Sequence, residues 1–313
     1  GVVFVLLLGE IDLSIGYVSG IAGVVVAELQ VPDASWEVKG ILAIAIAVGV
    51  TALIGGLQGS FVAYIGVPSF VVTLAGLLFW QGVILYVIGD AGVIIIEDRR
   101  VNDVANYFFT DRAGLLIALA ATGLLALATL SGVVSRRRHG IRTDNLVLVG
   151  AKLVVIAALL FGAVVWANRE RGFPVAFLIV LVFLVFWTWV AERTTFGRHV
   201  YAVGGNAEAA RRAGINVKRI KVLVFMISGL MAGFGGVIFA ARLNSVDLNA
   251  GGGTLLLDAI SAAVIGGVSL FGGRGRVGGG LLGALVISTV ANGIDLLGYS
   301  SAVKYMVTGL ILL

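Results

Sequence analysis

Long apolar runs, each of about bilayer-crossing length and divided by short polar breaks, recur from one end of the chain to the other. Roughly 20 helical residues cross a hydrocarbon core. Runs of that order lie at 13–29, 40–63, 67–89, 113–134, 146–167, 174–191, 222–241, 256–270 and 277–297, with partial runs at 1–9 and 301–313. They are too long and too continuous for barrel strands, which would be about ten residues of alternating character. The pattern predicts an all-α fold: a polytopic transmembrane helical bundle, about 10–12 spans in the whole protein, forming a single transmembrane domain over 1–313. The end runs stop at Gly1 and Leu313, so the first and last spans are expected to continue beyond this sequence.

Composition agrees and narrows the class. Hydrophobic residues make up 59% of the chain and charged residues 12%, with a mean hydropathy of +1.08, outside the soluble globular range. Cysteine is absent, which excludes disulfides and thiolate metal sites. The net charge of +5 is no sign of nucleic-acid binding, because the basic residues gather in loops, as membrane topology requires.

Those loops orient the chain. Segment 192–221 carries Arg193, Arg198, Arg211, Arg212, Lys218, Arg219 and Lys221, and a second cluster runs from Arg136 to Arg142 around His139. Both are expected on the cytoplasmic side, which puts the mixed segment 90–112 outside. Segment 58–68 should also be cytoplasmic, yet it has no Lys or Arg.

Inside the basic loop lies a short helix with complete end signals. Asn206 can cap its first turn. Glu208 sits at the positive end of the helix dipole, and Arg211 and Arg212 near the negative end. Gly214 falls where a left-handed residue stops the helix. A loop that only fixes topology needs no such specification, so the helix reads as a surface presented to a partner.

Two Asp-led stretches suggest a repeat. Asp12 and Ser14 open one Gly/Ala/Ser-rich span and Asp258 opens another, with Gln58 and Asn292 late in the spans that follow. In the predicted topology the two Asp-led spans run in opposite senses, the arrangement of an inverted repeat. Together with Thr73 these residues are the candidates for lining a pathway, since polar groups at membrane depth are costly. Helix capping explains Asp12 and Asp258 equally well, and inter-helix hydrogen bonding explains Gln58 and Asn292. Most of the 45 glycines read as close helix packing, as in Gly229–Gly233 and Gly279–Gly283. Trp80, Trp166, Trp187 and Trp189 read as interfacial or packing positions.

The residues carry a resemblance. Asn206-Ala-Glu-Ala-Ala followed by Gly214 resembles the Glu-Ala-Ala coupling loop of ABC-importer permeases. Gly9-Glu-Ile-Asp-Leu-Ser-Ile-Gly16, Thr195-Phe-Gly-Arg-His-Val-Tyr-Ala-Val-Gly-Gly-Asn206, Leu257-Asp-Ala-Ile-Ser-Ala-Ala-Val-Ile-Gly-Gly267 and Ser269-Leu-Phe-Gly-Gly-Arg-Gly275 are similar to the monosaccharide branch of that superfamily. The likeness covers nearly everything except 91–172. Segment 113–167 reads as an inserted helical hairpin, which looks most like the xylose-type permeases.

The resemblance implies a permease subunit of an ATP-driven sugar importer in a bacterial inner membrane, with xylose as the preferred substrate and no enzymatic activity of its own. It implies three partners besides the bilayer: a cytoplasmic ATP-binding subunit, an extracytoplasmic sugar-binding protein and a second copy of the permease. It implies no cofactor on this chain, ATP being used by the partner subunit. The 192–221 coupling loop would dock through Asn206, Glu208, Ala209, Ala210, Arg211, Arg212 and Gly214, with both alanines allowing close approach. An ion-gradient carrier would share the inverted repeat and the intramembrane acids but needs no protruding helix. ABC permeases for nucleosides or branched-chain amino acids are the near neighbours. An intramembrane enzyme would need a clustered nucleophile and base; the only histidines, His139 and His199, lie in basic loops.

Overall fold

A computed structural model of the chain describes residues 1–31, 36–38, 40–138 and 146–312. Fourteen α-helices occur among them: α1 Val2–Leu7, α2 Ile15–Glu28, α3 Ile41–Ser60, α4 Ser69–Ile88, α5 Arg99–Asn106, α6 Asp111–Arg138, α7 Leu146–Ala167, α8 Val175–Arg193, α9 Thr195–Gly205, α10 Ala207–Arg212, α11 Val217–Leu243, α12 Leu255–Ile265, α13 Val277–Leu296 and α14 Ser301–Leu312. Four two- or three-residue strands, β1 Val93–Ile95, β2 Phe108–Phe109, β3 Phe173–Pro174 and β4 Ser245–Asp247, with a π-helical turn Phe61–Ile65 and a 3-10 turn Gly89–Ala91, complete the order among the described residues. Among the described residues six helices are long and apolar enough to cross a membrane: α3 with its π-helical extension to Ile65, α4, α7, α8, α11 and α13. The all-α polytopic bundle expected from the sequence is what forms.

Two predicted spans come out short. The run 13–29 yields α2, 14 residues and about 21 Å long, against the roughly 30 Å of a hydrocarbon core. The run 256–270 yields only the 11 residues of α12, because Gly267 turns left-handed at φ +84°. Side-chain polarity marks where chain can sit in a bilayer, but here part of that chain is loop.

The chain divides into two compact units, Gly1–Ala105 with Val180–Leu313, and Asn106–Ile179. In the second, α6 and α7 pack against each other, and β2 pairs antiparallel with β3 (Phe108 opposite Pro174) beside a small core of Ala118, Val164 and Phe173. His139, Arg142 and the rest of the 139–145 connection lie outside the described residues.

In the first unit α11 is the central helix, packed on α3 and α2. Small residues make this possible: a Cβ on Gly55 would run into the carbonyl of Phe225, and one on Gly59 would come within 2.7 Å of the Phe225 Cβ. The α12–α13 pair packs the same way, with Gly266 against Gly279 and Gly283 against Ala262. Between membrane helices, close backbone approach replaces the hydrophobic driving force that water would supply.

The strands and the basic end fix the sense of α11. β1 pairs antiparallel with β4, Val93 opposite Asp247, so both flank the Leu243 end of a helix about 40 Å long. At the other end Lys218 lies 5.3 Å from the ring centre of Tyr64. Segment 58–68, without basic residues of its own, therefore sits beside the basic loop, as the topology requires.

Candidate functional site

Three features gather around α11. The first is a cavity of about 460 Å³ between α1, α2, the middle of α8 (Val180 to Trp187), α11, α12 and α13. Ile15, Gly16 and Ser19 of α2 form part of its wall, with Trp187, Met231 and Ala259 facing them from other helices. Its volume lies in the range of small-molecule sites. The Trp187 ring is held edge-on to Phe4, centres 5.4 Å apart, and its indole nitrogen donates to Met231 Sδ at 3.0 Å. Ser19 spends its hydroxyl on the Gly16 carbonyl at 2.6 Å. Such a wall offers contact area and an aromatic surface with few fixed polar groups.

The cavity adjoins the meeting point of two short helices that run in opposite senses. A Cβ on Gly16 would come within 2.6 Å of the Gly251 carbonyl oxygen and 3.5 Å of Leu256, so the first turns of α2 and α12 lie together. From there α2 runs toward β4, Gly23 lying against Val246, while α12 runs toward the basic end, where Gly273 donates to the Leu7 carbonyl beside Gly204.

The second feature is a buried polar cluster that ties the 9–14 segment down. Asp12 Oδ1 accepts from the Ser14 amide at 3.0 Å and the Ser14 hydroxyl at 2.7 Å, and Oδ2 accepts from Ser228 Oγ at 2.9 Å. Ser14 Oγ also lies 2.9 Å from the Gln58 side-chain amide. A hydroxyl has one proton, and here the carboxylate takes it. The amide must then turn its nitrogen toward Ser14, which also gives that buried Nε2, otherwise unpartnered, an acceptor. Thr73 Oγ1 lies 2.8 and 3.2 Å from the carbonyl oxygens of Ser69 and Ile11, which share its one proton, and Ser69 Oγ accepts from the Ile11 amide at 3.2 Å.

Four of the sequence candidates, Asp12, Ser14, Gln58 and Thr73, thus come together, but buried between helices and not on the cavity wall. The capping reading fits Asp12, whose carboxylate accepts from the Ser14 amide at the residue just before α2, but not Asp258. Asp258 lies inside the first turn of α12 and accepts from Thr254 Oγ1 at 2.7 Å. Asn292 is exposed on α13. Trp187, expected as a packing or interfacial position, packs on Phe4 and also borders the cavity; nothing in its local sequence marks which tryptophan meets α1 and α11.

The third feature is α10. Asn206 Oδ1 accepts from the Ala209 amide at 2.9 Å, and Gly214, at φ +84°, ends the helix as expected. Glu208 reaches along the helix to both Arg211 and Arg212. Ala209 is exposed, but Ala210 is buried in the cluster that holds Val203, Ile220 and Val224. The expectation that both alanines face a partner is therefore corrected: consecutive helical residues point about 100° apart, and one of them must face the body of the protein. Alongside, Tyr201 of α9 donates to the Gly275 carbonyl at 2.8 Å; burial, with Glu192 adding and Arg276 opposing, pushes its phenol above the ordinary range.

Membrane-crossing helices, two opposed short helices beside a cavity and a capped basic-loop helix are together the features of a multi-pass membrane transport subunit. The chain belongs to the family described as the branched-chain amino acid transport system / permease component, whose model matches residues 1–313. It is 36% identical over 315 residues to the xylose transport system permease protein XylH of Escherichia coli (strain K12), covering 100% of this chain and 78% of that protein. The corresponding protein of Haemophilus influenzae is 34% identical over 314 residues (100% and 82%), and the ribose import permease protein RbsC of Escherichia coli (strain K12) 33% over 316 (100% and 78%). No solved structure matches the chain.

Proposed function

We propose that this chain is the membrane-spanning permease subunit of an ATP-driven importer for a monosaccharide, with xylose as the substrate. The observation that carries the mechanism is α10, a helix with a side-chain cap at one end and a left-handed glycine at the other, anchored by Ala210 and presenting Ala209 and Glu208 outward. A helix seated in a partner's groove needs small residues at the contact and charges at the rim, and α10 has both. The partner is a cytoplasmic ATP-binding subunit; the chain needs no cofactor, ATP being used by that subunit. An extracytoplasmic sugar-binding protein delivers the solute, and a second copy of this chain completes the pathway. Closure of the ATPase pair moves α10 as a rigid body and switches the cavity between outward and inward access. The α6–α7 hairpin is an insertion into this scheme.

Sugar similarity rests on the relatives: proteins named for xylose and ribose import align along the whole of this chain. The test is uptake into vesicles holding the chain with its co-purifying subunits and a binding protein, comparing internal ATP with an imposed ion gradient, for wild type and Glu208→Lys. ATP-dependent xylose uptake that ignores ionophores and fails in the variant is expected. Uptake that follows the ion gradient without ATP would make the chain a secondary carrier.

A further inference from the structure

Glu10 and Lys221, 211 positions apart in sequence, form an ion pair with side chains only 16% and 24% exposed. Neither residue has a role in the docking or the cavity described above. Their neighbours suggest one.

Lys221 lies at the start of α11, just beyond α10. The two helices are joined tightly: the Ile215 amide donates to the Ala210 carbonyl at 3.0 Å, and Asn216 caps α11 by accepting from the Arg219 amide at 3.0 Å. Two turns further along α11, Ser228 donates to Asp12. Residues seven apart share one face of a helix and stand about 10 Å apart along its axis. Glu10 and Asp12, two apart in non-helical chain, meet that face at both points. The same segment continues through Ser14 into Ile15 and Gly16, which are cavity wall. On its other side Ile11 is held by Ser69 and Thr73 of α4.

We infer that Glu10 and Lys221 are positioning residues for transport: together with Asp12 and Ser228 they make the 9–14 segment ride on α11, so that a displacement at α10 arrives at the cavity wall. Because the segment is also strapped to α4, movement of α11 past α4 has to turn or shift the first residues of α2. A partly buried pair suits this task, since it is screened less than a surface pair and holds its geometry as the helix moves. The inference rests on the reading of α10 as the ATPase contact.

The test uses the complete complex in vesicles and measures sugar taken up per ATP hydrolysed. In Glu10→Gln and Lys221→Met the ATPase should still co-purify and hydrolyse ATP, while uptake per ATP falls by about fivefold or more, the lower range of measured site-to-site couplings. The charge swap E10K/K221E should recover most of the loss, which a merely structural contact to third parties would not. Single variants with wild-type uptake per ATP, or a swap no better than the singles, overturn the inference. Since the chain has no cysteine, E10C/K221C joined by a short reducible thiol cross-linker supplies a second measurement that does not depend on the charged variants folding. Uptake should survive the cross-link, because the pair stays closed as α11 moves; uptake lost on cross-linking and regained on reduction overturns the inference. ATPase that fails to co-purify with the unaltered chain removes the α10 reading itself, and this inference with it.

Discussion

Gly229 of α11 lies against α3 so closely that a Cβ there would overlap the Thr51 carbonyl oxygen and stand 3.1 Å from the Gly55 nitrogen. Backbone, unlike a flexible side chain, cannot step aside. Gly229→Val should therefore force α3 and α11 apart and cost at least about 2 kcal/mol, overpacking in a region with no slack. Gly49→Ala, on α3 with open space around it, is the control and should be neutral or stabilising by up to about 1 kcal/mol. Thermal unfolding of the detergent-purified protein compares the two.

The buried cluster gives a second prediction. Asp12→Ala removes the acceptor for the Ser14 amide, the Ser14 hydroxyl and the Ser228 hydroxyl at once. Leaving buried donors unpaired costs about 1–3 kcal/mol each at most, and neighbours relax, so a total near 3 kcal/mol is expected. Asp12→Asn keeps one acceptor oxygen and should lose less than Asp12→Ala. Equal loss in the two variants would mean that the cluster does not depend on these bonds. The same unfolding assay reads both.

Much of this architecture was legible in the chain. The long apolar runs, the basic loops and the Asn206 and Gly214 helix ends are local signals, carried by residues next to each other. Gly229 and Gly233 announced close packing by their spacing alone. What stayed hidden is non-local. Asp12 looks like a helix cap because the sequence shows Ser14 and Ile15 after it; that Ser228 arrives from 216 positions away cannot be read from either stretch. Hydropathy likewise overran α12, because the glycine-rich stretch 266–270 that follows it is apolar enough to read as helix. The cavity wall is assembled from α1, α2, α8, α11, α12 and α13, so Trp187 carries no mark distinguishing it from Trp166 or Trp189.

Trp187 can be probed directly. Its ring packs on Phe4 and its indole nitrogen is bonded to Met231, so Trp187→Phe keeps most of the wall and removes the donor, while Trp187→Ala opens the wall. If the cavity is on the transport route, Trp187→Ala should shift the concentration dependence of uptake several-fold and Trp187→Phe much less. The loss expected for a large-to-small change, about 3 kcal/mol or more in a packed core, should be smaller here because one face of the ring already borders the cavity. Uptake kinetics beside a melting curve separate the two effects.

The two alanines of α10 provide the most discriminating pair of variants. They are adjacent in sequence, identical in composition and opposite in exposure. Ala210→Glu places a charge in the apolar cluster around Val203 and Ile220, where a carboxylate has no partner; α10 should lose its seat and the amides of 207–212 their protection from hydrogen exchange. Ala209→Glu points the same charge outward. It should leave melting and exchange protection unchanged and instead weaken capture of the ATP-binding subunit, since the small contact surface becomes bulky and charged. Exchange protection and pull-down should therefore respond in opposite order in the two variants. If Ala209→Glu captures the subunit as well as wild type does, α10 is not the surface that the ATPase reads, and the basic loop returns to being a topological signal.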